Sequence, residues 1–219
     1  MKKRFLIALL LLILFSTYNI QFNSNFFSKF YIQKIAIENN KITKEENINN
    51  KLSFLKQSNI FLLDKKKIER KLKEIQFIDS FQIKKVYPNK IIIKITEKKP
   101  IAIIQHNKEK KYFTTQGDLI DFIDLRKFEE LPFVFGDKKS FSIIYENLKE
   151  INFPLDNIQK FYLFETKRWD LLTKDNQLIK LPTNNYVKSL KNFMDLKDQD
   201  NFTKYKIFDY RINDQLILK

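Results

Sequence analysis

Few side chains in this sequence are equipped for catalysis, and their placement argues against it. One histidine, His106, and no cysteine occur among 219 residues. Histidine-clustered metal sites, thiolate ligands, cysteine nucleophiles and disulfides are thereby excluded, and a hydroxyl nucleophile would have one imidazole to draw on. His106 falls at the end of a predicted strand, where a surface position without a task is the simpler reading. Carboxylate pairs remain: Asp118 with Asp121, and Glu129 with Glu130. A glycosidase needs two that face one cleft, whereas both pairs lie in turn-like, lysine-rich surroundings. The two glycines, Gly117 and Gly136, are too few for a P-loop, a dinucleotide fingerprint or a nucleophile elbow. They read instead as turn residues supplying a positive φ. Trp169, the single tryptophan, reads as core filling with its polar edge outward. No catalytic residue, cofactor or metal is expected.

What positions the remaining residues must be a folded core, because 43% of the chain is apolar and 15% aromatic, too much for wholesale disorder. The length suits a membrane anchor and one or two small domains. The net charge of +15 raises nucleic acid or an anionic membrane as partners. Arginine, the better fork for bases and phosphates, occurs only at Arg4, Arg70, Arg126, Arg168 and Arg211, so a nucleic-acid surface is not expected.

At the amino terminus Lys2, Lys3 and Arg4 precede an apolar run, residues 5–15, that continues less cleanly to Phe22. Basic residues ahead of an apolar helix hold that end in the cytoplasm. A cleaved signal peptide competes with a retained anchor, but small residues two apart, which cleavage requires, are missing between Ser16 and Ser28. The expectation is a four-residue cytoplasmic tail (1–4), a transmembrane helix over 5–22 lined by Phe5, Leu9, Leu12 and Phe15, and a tether over 23–29.

Beyond the tether, residues 30–38 read as a strand that Asn39 and Asn40 end. Thr43 and Glu46 form a predicted capping box ahead of a helix carrying Ile48, Leu52 and Leu55 on one stripe. The apolar link Ile60-Phe61-Leu62-Leu63 leads to a second helix opened by Asp64, with Ile68, Leu72 and Ile75 on its stripe. Lysines and glutamates fill its solvated face. Strands over 78–86 and 90–98 flank a turn at Tyr87-Pro88-Asn89, and Ile91, Ile93 and Ile95 form one face. Strand, helix, helix, strand, strand over residues 30–99 is an α+β layer of POTRA type. After Pro100 come short strands over 101–105, 112–115, 119–122, 161–165, 168–173, 178–181 and 205–211. Two helices interrupt them, one capped by Ser140 (Phe141, Ile144, Leu148, Ile151) and one by Thr183 (Tyr186, Leu190, Phe193). Residues 100–219 are therefore expected to form a mostly β domain with two helices.

Three runs, Asn59-Ile60-Phe61-Leu62-Leu63-Asp64, Val86-Tyr87-Pro88-Asn89 and Glu97-Lys98-Lys99-Pro100-Ile101-Ala102, resemble the bacterial cell-division family FtsQ/DivIB in order and spacing. The second half resembles that family's β domain in Thr115-Gln116-Gly117-Asp118, Leu131-Pro132 with Gly136, Arg168-Trp169-Asp170-Leu171, Leu181-Pro182 and Asp209-Tyr210-Arg211. The family commonly has leucine where Tyr210 stands and often a longer cytoplasmic leader.

The resemblance implies a non-enzymatic divisome scaffold in the inner membrane at the septum, with its domains in the periplasm. In the family, the last β-domain strand binds a strand from an FtsB/FtsL pair, the POTRA domain helps recruit other divisome members, and the complex helps control septal peptidoglycan synthesis. The physical form would be β-augmentation. Here the expected edge is Ile207, Asp209, Tyr210, Arg211 and Ile212, continued by Leu216, Ile217 and Leu218, an apolar edge that needs a cover. Arg211 would pair either with an acidic partner residue or, within the domain, with Asp209 or Glu165. The alternative, a POTRA-containing transport or outer-membrane assembly factor, lacks support from tandem repeats or an amphipathic barrel tail.

Overall fold

The computed structural model describes residues 2–17, 28–56, 58–106, 108–197, 199–212 and 215–219. The chain divides into two compact units, Met1–Glu97 and Lys98–Lys219.

The apolar run at the amino terminus forms helix α1 (Lys2–Thr17). Phe5, Leu9, Leu12 and Phe15 are 71, 46, 66 and 79% exposed, so the helix has no buried side. Its 16 residues rise about 24 Å, against about 30 Å of bilayer hydrocarbon. Among the described residues no helix is long and apolar enough to cross a membrane. The last five residues of the expected anchor, 18–22, and most of the tether lie outside the described residues.

In the first unit β1 (Lys34–Glu38), α2 (Glu45–Lys51), α3 (Lys65–Lys73), β2 (Ile78–Val86) and β3 (Lys90–Glu97) follow in the expected order. The sheet order is β1-β3-β2, with β1 parallel and β2 antiparallel to β3. Central β3 turns Ile91, Ile93 and Ile95 toward Ile48, Leu52, Leu55, Ile68 and Leu72, all essentially without exposed surface. Each such side chain contributes roughly 1.5–3 kcal/mol on burial, so this stripe-on-sheet contact holds the unit together. The β2–β3 turn contains a cis Tyr87-Pro88 peptide.

Local details differ from the expectations. The first strand starts at Lys34, because Phe30 to Ile32 pair elsewhere: Ile60 N–H donates to Phe30 O (2.9 Å) and Ile32 N–H to Ser58 O (2.9 Å). The first helix ends at Lys51, and Leu55 is carried on a separate 3₁₀ turn. Asp64 caps α3 as expected, accepting from Lys67 N–H at 3.0 Å. The Thr43–Glu46 capping box does not form: Lys44 is the N-cap of α2, with no side-chain bond, and Thr43 Oγ1 is buried without a partner. The amides ahead of that helix are taken by a remote group. The Glu97 carboxylate, at the end of β3, accepts from Lys41 N–H (2.9 Å), Ile42 N–H (2.9 Å) and Thr43 N–H (2.7 Å). A charged acceptor for three amides outcompetes a local hydroxyl.

The second unit is a mixed nine-stranded sheet backed by helices. Its strands are β4 (Pro100–His106), β5 (Glu109–Thr114), β6 (Leu119–Asp121), β7 (Phe133–Phe135), β8 (Ile158–Leu163), β9 (Trp169–Thr173), β10 (Leu178–Lys180), β11 (Ile207–Asp209) and β12 (Ile217–Leu218). In space they run β12-β11-β10-β9-β8-β7-β4-β5-β6. Of the three parallel pairs, β4/β7, β7/β8 and β10/β11, the last two have helical crossovers, supplied by α4 (Lys138–Glu150) and α5 (Tyr186–Lys197). A short helix α6 (Asp200–Thr203) precedes β11. One transverse row, Ile104, Val134, Phe161, Leu171, Ile179 and Phe208, is buried against Phe141, Ile144, Leu148, Leu190 and Phe193 of the helices. Trp169 joins this core edge-to-face with Phe161, at 6.3 Å.

Four further readings are corrected. Strand β7 was not expected. The cap of α4 is Asp137, accepting from Ser140 N–H (2.9 Å) and Ser140 Oγ–H (2.8 Å), rather than Ser140 itself. Helix α5 opens at Tyr186, after Asn185 at φ 57°, later than a cap at Thr183 would set it. Gly117 has the positive φ of a turn (79°), but Gly136 is needed for space: a Cβ there would meet Leu163 Cβ at 2.9 Å and Trp169 Cη2 at 3.1 Å.

Two variants test these contacts by chemical denaturation. Glu97→Ala strands three amides and is expected to destabilise the first unit by about 1–3 kcal/mol. Gly136→Ala overpacks the second core and is expected to cost it about 1–3 kcal/mol. A loss below about 0.5 kcal/mol in either would show that its contact is not needed.

Candidate functional site

The carboxy-terminal stretch alternates a core residue, Phe208, between Ile207 and Asp209, and this period-two pattern makes β11. Phe208 is fully buried. Strand β11 is not the edge of the sheet. On one side it runs parallel to β10, with Leu178 N–H donating to Lys206 O (2.7 Å) and Tyr210 N–H to Lys180 O (2.8 Å). On the other it pairs antiparallel with β12, Phe208 opposite Leu218 and Asp209 opposite Ile217. Ile207 and Lys219 exchange both bonds, at 3.0 and 3.1 Å. In an antiparallel ladder the next residue along then turns its main-chain groups the other way. The free row is therefore on β12, where the N–H and C=O of Leu218 face away from the sheet.

The expected edge residues thus do not share one surface. Ile207 and Asp209 belong to an inner strand and have no open edge. Leu216 and Leu218 pack against the core cluster, while Ile212 and Ile217 are 52 and 38% exposed. Tyr210 is buried, its hydroxyl donating to Asn192 Oδ1 on α5 at 3.0 Å, and burial pushes its phenol upward. Tyr210, Asn192, Pro182, Lys188 and Leu216 line an open hollow of about 390 Å³ beside the edge.

Arg211 takes the intramolecular option. Its Nε donates to Asp209 Oδ1 (2.8 Å) and its Nη2 to Oδ2 (2.6 Å), a fork on a nearly buried carboxylate. These bonds hold the Asp209 carboxyl below the usual range, against the opposing effect of burial. Asp209 stands beside Lys180, which stands beside Asp170, across three neighbouring strands. Burial pushes the Asp170 carboxyl up, although Arg168 Nε donates to it at 3.2 Å. Sequence reasoning did not connect Asp170, Lys180 and Lys219 to this site. Their link is the strand register, and no spacing along the chain announces it.

Elsewhere the residues considered for chemistry do not converge. His106 is exposed at the end of β4. Asp118 accepts from Lys98 Nζ at 2.7 Å, and Asp121 lies 4.0 Å from Lys111 Nζ. Among the described residues no cluster of histidine and carboxylates could hold a metal ion.

A β-α-α-β-β layer followed by a helix-backed mixed sheet with an open carboxy-terminal edge defines the class: a POTRA domain joined to a β-rich domain. The family model for the FtsQ-type POTRA domain matches residues 30–98, and that for the carboxy-terminal domain of cell division protein FtsQ/DivIB matches residues 102–211. Proteins named cell division protein FtsQ are similar along most of the chain. That of Rickettsia typhi is 30% identical over 187 residues, covering 83% of this chain and 70% of its own length. That of Rhizobium meliloti is 22% identical over 190 residues, with 85 and 62% covered. The chain belongs to the FtsQ/DivIB family of bacterial cell division proteins. The extracytoplasmic domain of DivIB from Geobacillus stearothermophilus overlaps 47% of this chain and 92% of its own at a TM-score of 0.33 and 14% identity, a likeness too low to add to the assignment. Strand β12 lies beyond the residues matched by the family model.

The two carboxylates should titrate apart. A depressed Asp209 contributes stability that is present above its unfolded value, about 3.9, and is lost as pH falls through the folded value; a raised Asp170 contributes the opposite, lost as pH rises through its folded value. Carboxyl NMR titration should place Asp209 below and Asp170 above the ordinary range, and Arg211→Ala should move Asp209 upward. An unmoved Asp209 would show that the fork is not its main partner.

Proposed function

We propose that this chain is a non-enzymatic scaffold of the division machinery. It holds bitopic division proteins of the FtsB/FtsL type, and through them helps control septal peptidoglycan synthesis. The observation that carries the reading is the edge at β12, where Leu218 turns an unpaired N–H and C=O outward. An incoming strand gains main-chain hydrogen bonds there and register from alternate side chains. Exposed Ile217 and Ile212 and the hollow beside Tyr210 offer it apolar contact. Arg211 is half committed: its fork on Asp209 leaves the side chain 45% exposed, so an acidic group on the partner would meet a charge already oriented.

The same reading places the chain in the inner membrane, single-pass, with its amino terminus cytoplasmic, both domains periplasmic, and the whole concentrated at the septum. Supporting it are the apolar circumference of α1 and the basic residues Lys2, Lys3 and Arg4 ahead of it. The anchor would be completed by residues 18–22. The POTRA domain would serve other divisome members. The matching relatives are division proteins, which leaves the transport and outer-membrane assembly reading without support.

Truncation after Phe208 would remove buried Tyr210 along with the edge, so a substitution at the edge is the cleaner test. Leu218→Pro deletes the outward N–H and keeps the bonds that Lys219 makes to β11; proline is tolerated where the N–H faces away from the sheet. Capture of small bitopic proteins by the tagged full-length chain from detergent-solubilised cells is expected to fall about tenfold, in line with one lost hydrogen bond and its knock-on packing. Undiminished capture by a folded variant would refute the edge.

A further inference from the structure

One apolar patch is not absorbed by this reading. At the end of the first sheet where β1 begins, three short segments meet: residues 28–34, 58–62 and the 87–89 turn. Gln33 N–H donates to Asn89 O at 2.9 Å, and Ile60 N–H to Phe30 O at 2.9 Å. Their rings form a ladder, Phe30 to Phe61 at 5.1 Å and Phe61 to Tyr87 at 5.2 Å, stacked in the second case. The ladder is not buried: Phe61 is 54%, Tyr87 56% and Leu62 81% exposed. Asn59 caps the 3₁₀ turn that holds Phe61 and Leu62 outward, accepting from Phe61 N–H at 2.9 Å. The link that reads in the sequence as an apolar connection is thus presented to the outside by a built turn.

Lysine dominates the segments that carry the patch, with Asp64, the cap of α3 two residues past Leu62, as an acidic neighbour in sequence. The segments 28–34, 56–62 and 84–90 contain Lys29, Lys34, Lys56, Lys84, Lys85 and Lys90 and no aspartate or glutamate. Among the described residues, none of these six lysines lies in an ion pair. Phenylalanine, tyrosine and leucine flanked in sequence by lysines outside ion pairs match the interface of an anionic bilayer, where rings sit at headgroup level and lysine stems lie along apolar surface with their charges among phosphates. An acidic protein segment would fit the lysines, but three protruding apolar side chains fit acyl boundaries better. The chain also limits how far the patch can lie from α1. Ten residues, 18–27, separate Thr17 from Ser28, so even fully extended they hold Ser28 within about 40 Å of that helix.

We propose that this end of the POTRA domain, Phe61, Leu62 and Tyr87 with the surrounding lysines, docks on the anionic lipid surface of the membrane that holds α1. The proposal rests on the anchoring of α1. Docking would fix how far the domain stands from the bilayer.

The absence of cysteine permits single-site labelling. Full-length chain would carry a fluorophore at Leu62→Cys, at Leu9→Cys in α1, or at Lys41→Cys beyond the opposite end of β1. Each is placed in nanodiscs of phosphatidylcholine with or without phosphatidylglycerol, bearing shallow doxyl-lipid quenchers. Leu62 is expected to be quenched at least about twofold more than Lys41 in the anionic discs, and less in the neutral ones. Quenching at Leu9 with none above the control at Leu62 would overturn the docking and leave the patch to a protein partner. No quenching at Leu9 would overturn the anchoring, and the docking with it. Equal quenching of Leu62 in both discs would overturn the role given to the lysines.

Discussion

A sheet that does not close leaves a row of unsatisfied main-chain N–H and C=O groups at each end, and every functional statement about the second domain depends on how those two rows are handled. At one end, β6 is three residues long, and Asp121 at its tip lies 4.0 Å from a lysine of β5. At the other, β12 is two residues long, apolar, and tied to β11 through Lys219. The charge at the tip of β6 discourages pairing there, and β12 carries no such charge. The POTRA sheet handles its own long edge in the first way, since β2 carries Asp79, Ser80, Gln82, Lys84 and Lys85.

The core makes the edge usable. The buried row from Ile104 to Phe208 and the two helices behind it fix the register of six strands, and Tyr210, just past β11, ties that strand to α5 through Asn192. A partner strand added to β12 would then meet a template whose position is set by packing far from the contact. The forked Arg211 and Asp209 add a fixed charge pattern beside it. Since a bidentate pair costs side-chain freedom once, at folding, an acidic partner would gain from an arginine already held in place.

Much of this was legible in the sequence wherever a period or a cap was strong. The isoleucine alternation 91, 93, 95 and the stripes at 68, 72 and 141, 144, 148 fall where the structure puts them, and Asp64 caps its helix. Several of the failures share a cause: a group distant in sequence took over a local job. Glu97 serves amides that Thr43 and Glu46 were expected to serve. Three residues, Phe133 to Phe135, form a strand only because β4 and β8 lie on either side. Gly136 is required by Leu163 and Trp169 rather than by its own turn. Of the residues expected to form the edge, Ile217 and Leu218 make β12, while Ile207 and Asp209 lose their open side to it, and nothing short of the register reveals that.

The central claim, that a partner pairs with the row at Leu218, is tested most directly by residue-resolved amide hydrogen exchange on the full-length chain, with and without its copurifying bitopic proteins. The Leu218 amide, which faces away from β11, is predicted to exchange freely alone and to become protected in the complex, with β6 unchanged. Protection at β6 or at the POTRA edge β2, with Leu218 still exchanging freely, would contradict the account.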